Sequence, residues 1–416
     1  MQVDTIVRNC RQLITCKGKD GPLKGKEMSD IVIFEDGALA IKDGYIFDIG
    51  SDAEIAEKYT ADEIISAKNY LVLPGFVDCH THPVFVHTRE DEFALRLQGY
   101  SYMQIAKAGG GILNTIKTTR NASEELLFDL AKKRIEKMME LGTTTLEAKS
   151  GYGLDTESEL KMLRVIDRLA KELPVTIVPT FLGAHEYPEE YKNNHEGYLD
   201  LLCNEMIPAV AKQGIARFCD IFTEADVFSI EESRRVLNCA KQYGFQLKMH
   251  ADEIEPLGGA ELAAELGCIS ADHLGSTSDA GIKALKDKGV IPVLLPATLF
   301  SLGSKTYARG REMIDMGLPV ALATDYNPGS CNCDSIPLTM SIACIQMKLI
   351  PVEAFCATTV NAAYALGLGD KVGSLEIGKQ ADFTTWDIPS LNFIPYHLGS
   401  SYIVSVYAKG KCIYKV

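Results

Sequence analysis

The stretch VDCHTHPVF, residues 77 to 85, places His80 and His82 two apart, directly after an apolar run. Side chains alternate between faces on an extended chain, so both imidazoles point the same way. That arrangement begins a metal site, and three later segments offer residues to complete it. KMHADE (248 to 253) carries His250 and Glu253, SADHL (270 to 274) carries His273, and the apolar run PVALATD (319 to 325) closes on Asp325. A carboxylate at the end of a buried strand needs a cation or several donors beside it. The expected ligand set is therefore His80, His82, His250 and Asp325. Three imidazoles and one carboxylate suit zinc as first choice and iron as second, because magnesium and calcium prefer oxygen-only shells. Such an ion with an open position brings the pKa of a water to about 7, which makes the expected chemistry hydrolytic. Glu253 could take that water's proton or hydrogen-bond a substrate ring. His273 and Asp325 could align and deprotonate the water.

These residues need elements to hold them. Apolar or β-branched stretches recur at 73–82, 143–150, 175–185, 217–224, 245–253, 268–274, 290–296 and 319–325, eight in all, with amphipathic stretches between many of them. In SEELLFDLAKKRIEKMMELG (123 to 142), Leu126, Leu127, Leu130, Ile135, Met138 and Met139 recur at helical spacing. Asn121 or Ser123 is placed to cap its start, and Gly142 stands where a C-terminal glycine belongs. Eight strands alternating with helices predict an α/β fold, a (β/α)8 TIM-like barrel, whose function gathers at the carboxyl ends of the strands. An open doubly wound sheet is the alternative, but no G-x-G-x-x-G follows a strand. Five of the eight histidines, His80, His82, His185, His250 and His273, fall at predicted strand ends, and His87 follows in the first loop. Lys149, also at a strand end, reads as an ion-pair partner for Glu147 or another buried acid. His195 and His397 read as structural or surface residues.

Both ends of the chain have a different texture. Alternating β segments fill residues 1 to 72 and recur at 382–388 and 401–416, with turn signals at Asp43-Gly44 and Lys409-Gly410. They predict a small β-sandwich-like domain built from residues 1–73 plus 366–416, beside a catalytic barrel of 74–365.

The 416 residues carry 42 Lys and Arg against 56 Asp and Glu, a formal charge of −14. No basic block offers a nucleic-acid surface; KGKDGPLKGK (17 to 26), the nearest approach, reads as a solvated loop. No apolar run approaches the roughly 18 residues of a membrane span. The first residues lack the apolar core of a signal peptide. The expectation is a cytoplasmic protein with no nucleic-acid or membrane partner and a homodimer as a plausible assembly. Twelve cysteines in such a chain read as reduced thiols. Cys331 and Cys333 form a C-x-C pair without the second pair a thiolate zinc site requires.

PGFVDCHTH, HADE, SADHL and ATDYNPGS resemble the amidohydrolase superfamily, and AGGGI, KSGYGL and LGAH narrow the resemblance to the imidazolonepropionase family across nearly the whole chain. The resemblance implies a barrel with a β-sandwich-like domain and one metal per chain. It also implies hydrolytic opening of 4-imidazolone-5-propanoate to N-formimidoyl-L-glutamate in histidine degradation, by attack of a metal-activated hydroxide on the cyclic amide. By matching motifs it assigns His80, His82, His250 and Asp325 to the metal, and Arg89, Tyr152, His185, Glu253, Asn327, Gly329 and Ser330 to the substrate, with Tyr102 as a further contact. Arg89 offers a planar fork for the propanoate, Tyr152 a donor to the same group, and His185 a donor to the ring carbonyl or oxyanion. Pro83 and Val86-His87 depart from the family's pattern, which implies a stiffer loop before Arg89. The alternatives are a related deaminase or hydantoin-type hydrolase, whose neutral ring needs no carboxylate clamp, and a non-catalytic scaffold, which could afford to lose ligands that this chain keeps.

Overall fold

The computed structural model describes residues 1–17, 20–100, 104 and 110–416. Its first five strands are β1 (Gln2–Cys16), β2 (Ile31–Lys42), β3 (Tyr45–Ser51), β4 (Thr60–Ser66) and β5 (Leu71–Pro74). Alternation in β2 sends Leu39 and Ile41 into one apolar cluster with Leu13, Val72 and Phe383, while Ala38 and Ala40 enter another with Val3, Ile6 and Ile55. The β2–β3 hairpin turns on Asp43 and Gly44, both with positive φ (54° and 78°), the conformation a two-residue turn demands and glycine adopts without strain.

The middle of the chain forms eight consecutive parallel strands: β6 (Phe76–Asp78), β7 (Thr143–Lys149), β8 (Thr176–Ala184), β9 (Phe218–Thr223), β10 (Gln246–Ala251), β11 (Ser270–His273), β12 (Ile291–Leu294) and β13 (Ala321–Leu322). First and last approach each other through the Thr81–Tyr326 bridge, where the Asp325 amide donates to His80 O at 3.1 Å and the His82 amide to Tyr326 O at 2.8 Å. This is the expected (β/α)8 barrel, and its closing seam runs through the segments that carry His80, His82 and Asp325.

The second sheet is completed by β14 (Phe383–Trp386), β15 (Ile403–Ala408) and β16 (Lys411–Lys415). Strand β14 lies antiparallel to β5, with Thr384 opposite Leu73, so residues from both ends share one eight-stranded sheet. Only Gly75 separates β5 from β6, so that sheet leads directly into the barrel's first strand.

Helix Glu124–Glu140 covers the barrel, and Ser123 caps it, its hydroxyl accepting from the Leu126 amide at 3.2 Å. The buried face is Leu127, Phe128, Ala131, Ile135, Met138 and Met139. Leu126 does not belong to it: 44% exposed, it lies on the solvent side of the stripe, and Phe128 fills the core instead. No helix among the described residues is long and apolar enough to cross a membrane.

Candidate active site

His80 and His82 lie just past β6, and Asp325 just past β13, all three buried. One ligand atom from each falls within 4.8 Å of the others; the same holds for His80, His250 and His273. The Nε2 atoms of His80 and His82 face each other at 3.3 Å and lie 3.6 and 3.5 Å from Asp325 Oδ1. His80 Nδ1 is 2.6 Å from Asp272 Oδ2, a bond in which the ring must donate, so its Nε2 presents a lone pair. Burial, and after it the neighbouring histidines and Lys149, pushes His80, His82 and His273 well below the usual histidine range. Neutral lone pairs crowded against a carboxylate are the donor set of a borderline transition metal. Burial alone pushes Asp325 up to about 6, although its Oδ2 accepts from Thr298 Oγ1 at 2.7 Å. A cation beside it relieves that cost, so the residues present fit a divalent metal.

The backbone is bent to make this site. Asp252, His273, Leu274 and Asp325 have positive φ, between 49° and 77°, without being glycine, at the ends of the strands that carry the expected ligands and proton carriers. Such strain persists only where surrounding structure enforces it.

His185, past β8, stacks on His82 with ring centroids 5.3 Å apart. Its Nδ1 lies 2.9 Å from Gly151 O and therefore donates there. Gly151, at φ 109°, is required: a Cβ would sit 2.9 Å from Leu182 O and 3.0 Å from that same Nδ1. Burial, then the neighbouring His250, pushes His185 down to about 3, so the ring is neutral and its Nε2 is an acceptor. This polarity is opposite to the oxyanion donor expected from sequence. Tyr152 is buried 5.2 Å from His185, ring to ring, and burial pushes its hydroxyl up, keeping it protonated as a donor.

Glu253 Oε2 lies 3.4 Å from His273 Nδ1. Burial, then Asp325 and Glu224, pushes Glu253 up to about 8. Flanking groups fix its backbone: Asp252 accepts from the Gly258, Gly259 and Ala260 amides, and Glu224 from those of Ile254 and Glu255.

Arg89 extends across Gly329, so closely that a Cβ there would fall 1.7 Å from Nη2. Its amide donates to Pro328 O at 3.1 Å, its Nε is 3.3 Å from Glu92 Oε2, and Arg96 Nη2 reaches Gly329 O at 3.4 Å. Asn327 braces the turn beneath: Oδ1 accepts from the amides of Gly329 and Ser330, each at 2.8 Å, while Nδ2 donates to Asp325 O and Ser330 Oγ. The Asn327 side chain is thus occupied within the turn, and the Ser330 hydroxyl keeps its proton for another partner. Tyr102 lies outside the described residues.

Sequence reasoning overlooked two groups. Arg134, from helix Glu124–Glu140, donates to the carbonyls of Pro83, Phe85 and Val86 and stacks over Phe85 at 3.5 Å, fastening the loop that leads to Arg89. The second is a set of buried charges under the histidines. Lys149 meets Glu147 at 2.9 Å, as expected, but Asp220 still more closely at 2.6 Å. Asp220 and Asp272 in turn contact His250 and His80 at 3.0 and 2.6 Å.

The sequence profile of the amidohydrolase family matches residues 71–413. The chain is 47% identical over 416 residues to a protein of Alkaliphilus oremlandii named imidazolonepropionase, covering 99% of this chain and 98% of the relative. It is 49% identical over 414 residues to one of the same name from Clostridium tetani, with the same coverage. Among solved structures, guanine deaminase of Escherichia coli superposes with a TM-score of 0.75 at 17% identity over 99% of each chain. A zinc-bound adenosine deaminase of Xanthomonas campestris gives 0.73 at 18%, covering 99% of this chain and 93% of its own. At those identities the likeness is one of fold.

Proposed function

The chain belongs to the imidazolonepropionase family of the amidohydrolases, and from that premise we propose how its residues open the ring of 4-imidazolone-5-propanoate by hydrolysis to N-formimidoyl-L-glutamate. The observation that carries the reading is a guanidinium fork, Arg89 over Gly329, in the turn that follows Asp325 of a buried cluster of histidines and one carboxylate. A carboxylate-bearing ring is the substrate such a pair of features fits; the neutral base of a deaminase offers the fork no carboxylate.

His80, His82, His250 and Asp325 would hold one divalent cation, zinc by preference and iron as the alternative. When bound, that ion supplies Lewis acidity, polarising the amide carbonyl and acidifying water. A single cation is supported: at the third group of possible ligands among the described residues, Glu147 and Asp272 with His80, the Lys248 ammonium already lies 2.7 and 3.4 Å from those two carboxylates. Arg89 takes the propanoate as a bidentate pair, and Tyr152 and the Ser330 hydroxyl add donors. Neutral His185 accepts a ring N–H at Nε2, which turns the amide carbonyl toward the histidines. Glu253, with an affinity for protons suited to exchange near neutrality, receives the attacking water's proton on a carboxylate oxygen. It returns that proton to the ring nitrogen as the carbon–nitrogen bond breaks. Water is thereby divided between the new carboxyl group and the leaving nitrogen. His273, against Glu253, keeps the carboxylate aimed between those two atoms.

A cytoplasmic setting and a homodimer complete the reading, supported by the acidic composition and the size of the barrel. The test is loss of imidazolone absorbance by purified protein, with formimidoylglutamate identified by mass spectrometry, before and after chelation and after return of zinc or iron. Turnover is expected to vanish with the metal and return with it. A folded, fully metallated sample that leaves the ring intact would remove the substrate assignment.

A further inference from the structure

Small parallel barrels fill their interiors with layers of branched apolar side chains. Here the layer beneath the histidines is ionic. Glu147 and Lys149 of β7, Asp220 of β9, Lys248 of β10 and Asp272 of β11 all show 0% exposure. Burying five charges is a poor route to stability, since desolvation offsets most of the attraction. Their connectivity points to another purpose.

Each carboxylate divides its two oxygens between scaffold and cage. Glu147 Oε1 accepts from Thr180 Oγ1, Asp220 Oδ1 from the Ile221 amide, and Asp272 Oδ1 from Ser270 Oγ. Of the remaining oxygens, Glu147 Oε2 lies 2.9 Å from Lys149 Nζ and 2.7 Å from Lys248 Nζ. Asp220 Oδ2 lies 2.6 Å from Lys149 and 3.0 Å from His250 Nδ1, the latter within ion-pair distance but off the line of a hydrogen bond. Asp272 Oδ2 lies 3.4 Å from Lys248, 3.9 Å from Lys149 and 2.6 Å from His80 Nδ1. Lys248 is also tied to Cys79 O at 2.8 Å, one residue before His80. Contacts thus run from Glu147 through two lysines to two aspartates, and from these to the Nδ1 atoms of two imidazoles.

We propose that Glu147, Lys149 and Lys248 are positioning residues for the metal centre: they hold Asp272 so that His80 donates to it from Nδ1, and Asp220 beside His250 Nδ1, so that both imidazoles present Nε2 to the cation. Partners behind a metal-bound histidine fix its tautomer and ring orientation. Here those partners are themselves held by a common cage, so two ligands from different strands are set together. The proposal rests on the metal site put forward above.

The test compares wild-type protein with Glu147→Gln, which keeps the side chain's shape and the Thr180 contact but turns an amide toward both ammonium groups. Zinc affinity is measured by competition with a chromophoric chelator, and ligand geometry by the visible spectrum of the cobalt-substituted protein. The expected result is a zinc dissociation constant raised about 10- to 100-fold, the range for outer partners of metal ligands, together with a shifted cobalt spectrum, in protein whose circular dichroism is unchanged. A merely structural role would move the melting temperature and leave the cobalt spectrum alone. If Glu147→Gln does not fold, the charge-balanced Glu147→Gln/Lys149→Met pair is measured the same way. Nitrogen NMR of the zinc-loaded wild type supplies an independent reading: a proton on Nδ1 of His80 and His250 supports the cage, and one on Nε2 overturns it. A folded variant with wild-type zinc affinity and cobalt spectrum also overturns it. A wild-type protein that binds neither metal would instead strike down the metal site itself.

Discussion

Gly329→Ala isolates the carboxylate clamp. The glycine's backbone is not in the left-handed region, so alanine is acceptable to the main chain; what it meets is Arg89. Its Cβ would stand 1.7 Å from Nη2, 2.3 Å from Cζ and 2.8 Å from Nε, whereas such contacts hardly ever fall below 3.0 Å. The guanidinium must therefore retreat by more than about 1 Å, enough to break a charge-assisted bond whose optimum is about 2.7–2.9 Å. Loss of one such bond costs about 1.5–3 kcal/mol, or about 10- to 150-fold in kcat/KM at 1.36 kcal/mol per decade. The loss should fall mainly on KM, because the propanoate is bound equally in ground and transition states. Steady-state kinetics with imidazolone propanoate, and with the analogue bearing an ethyl group in place of the propanoate, separate the possibilities. The variant should lose its advantage for the acid and treat the ethyl compound as wild type does. Equal losses on both compounds, or none on the acid, with metal content and melting temperature unchanged, would refute the assignment of Arg89.

Two further substitutions test other parts of the site and fold. Glu253→Gln should lower kcat by about 10²- to 10⁴-fold, the span of a general acid–base group, with little change in KM; stopped-flow and steady-state measurements check this, and a variant with wild-type kcat would exclude Glu253 as the proton carrier. Asp382, in the second sheet, is pushed by burial from 3.8 up to about 6 while accepting from the Lys409 amide and Gln380. Its folded pKa is raised, so the protonated form favours folding below about pH 4, and that contribution is lost as pH rises through 6. Asp382→Asn should therefore stabilise the protein at pH 8 by up to about 3 kcal/mol and be near neutral at pH 4, as measured by calorimetry; a variant less stable than wild type at pH 8 would contradict the sign.

Much of the barrel was legible because the physics is local. Alternation of side chains paired His80 with His82, and apolar runs closing on His250, His273 and Asp325 marked strand ends. Lys248 and Glu147 stand two residues before His250 and Lys149 and so share their inward face, but the strand ends alone pointed to Glu147 only as a partner of Lys149 and to Lys248 not at all. The available signal was a charge inside an otherwise apolar strand, as in FCDIF or TLEAK. Arg134 gave no such signal: its RIEKMME context is that of an ordinary surface helix, and its carbonyl partners lie 48 to 51 residues away. The polarity of His185 depended on a carbonyl 34 residues distant, which spacing does not reveal. Leu126 was misplaced by a face that begins one residue later.

The sharing of one sheet by both ends of the chain has a consequence for how the protein comes into being. Strand β5 leads into the barrel, yet its neighbour β14 is made only after some 300 further residues, since Leu73 pairs with Thr384. Until then the apolar Leu71-Val72-Leu73 edge stands open to any passing strand. Closing a loop of that length is entropically late and kinetically slow. Ribosome-bound chains halted before residue 383 should therefore be the aggregation-prone ones, and the final 34 residues act as the latch that ends this exposure.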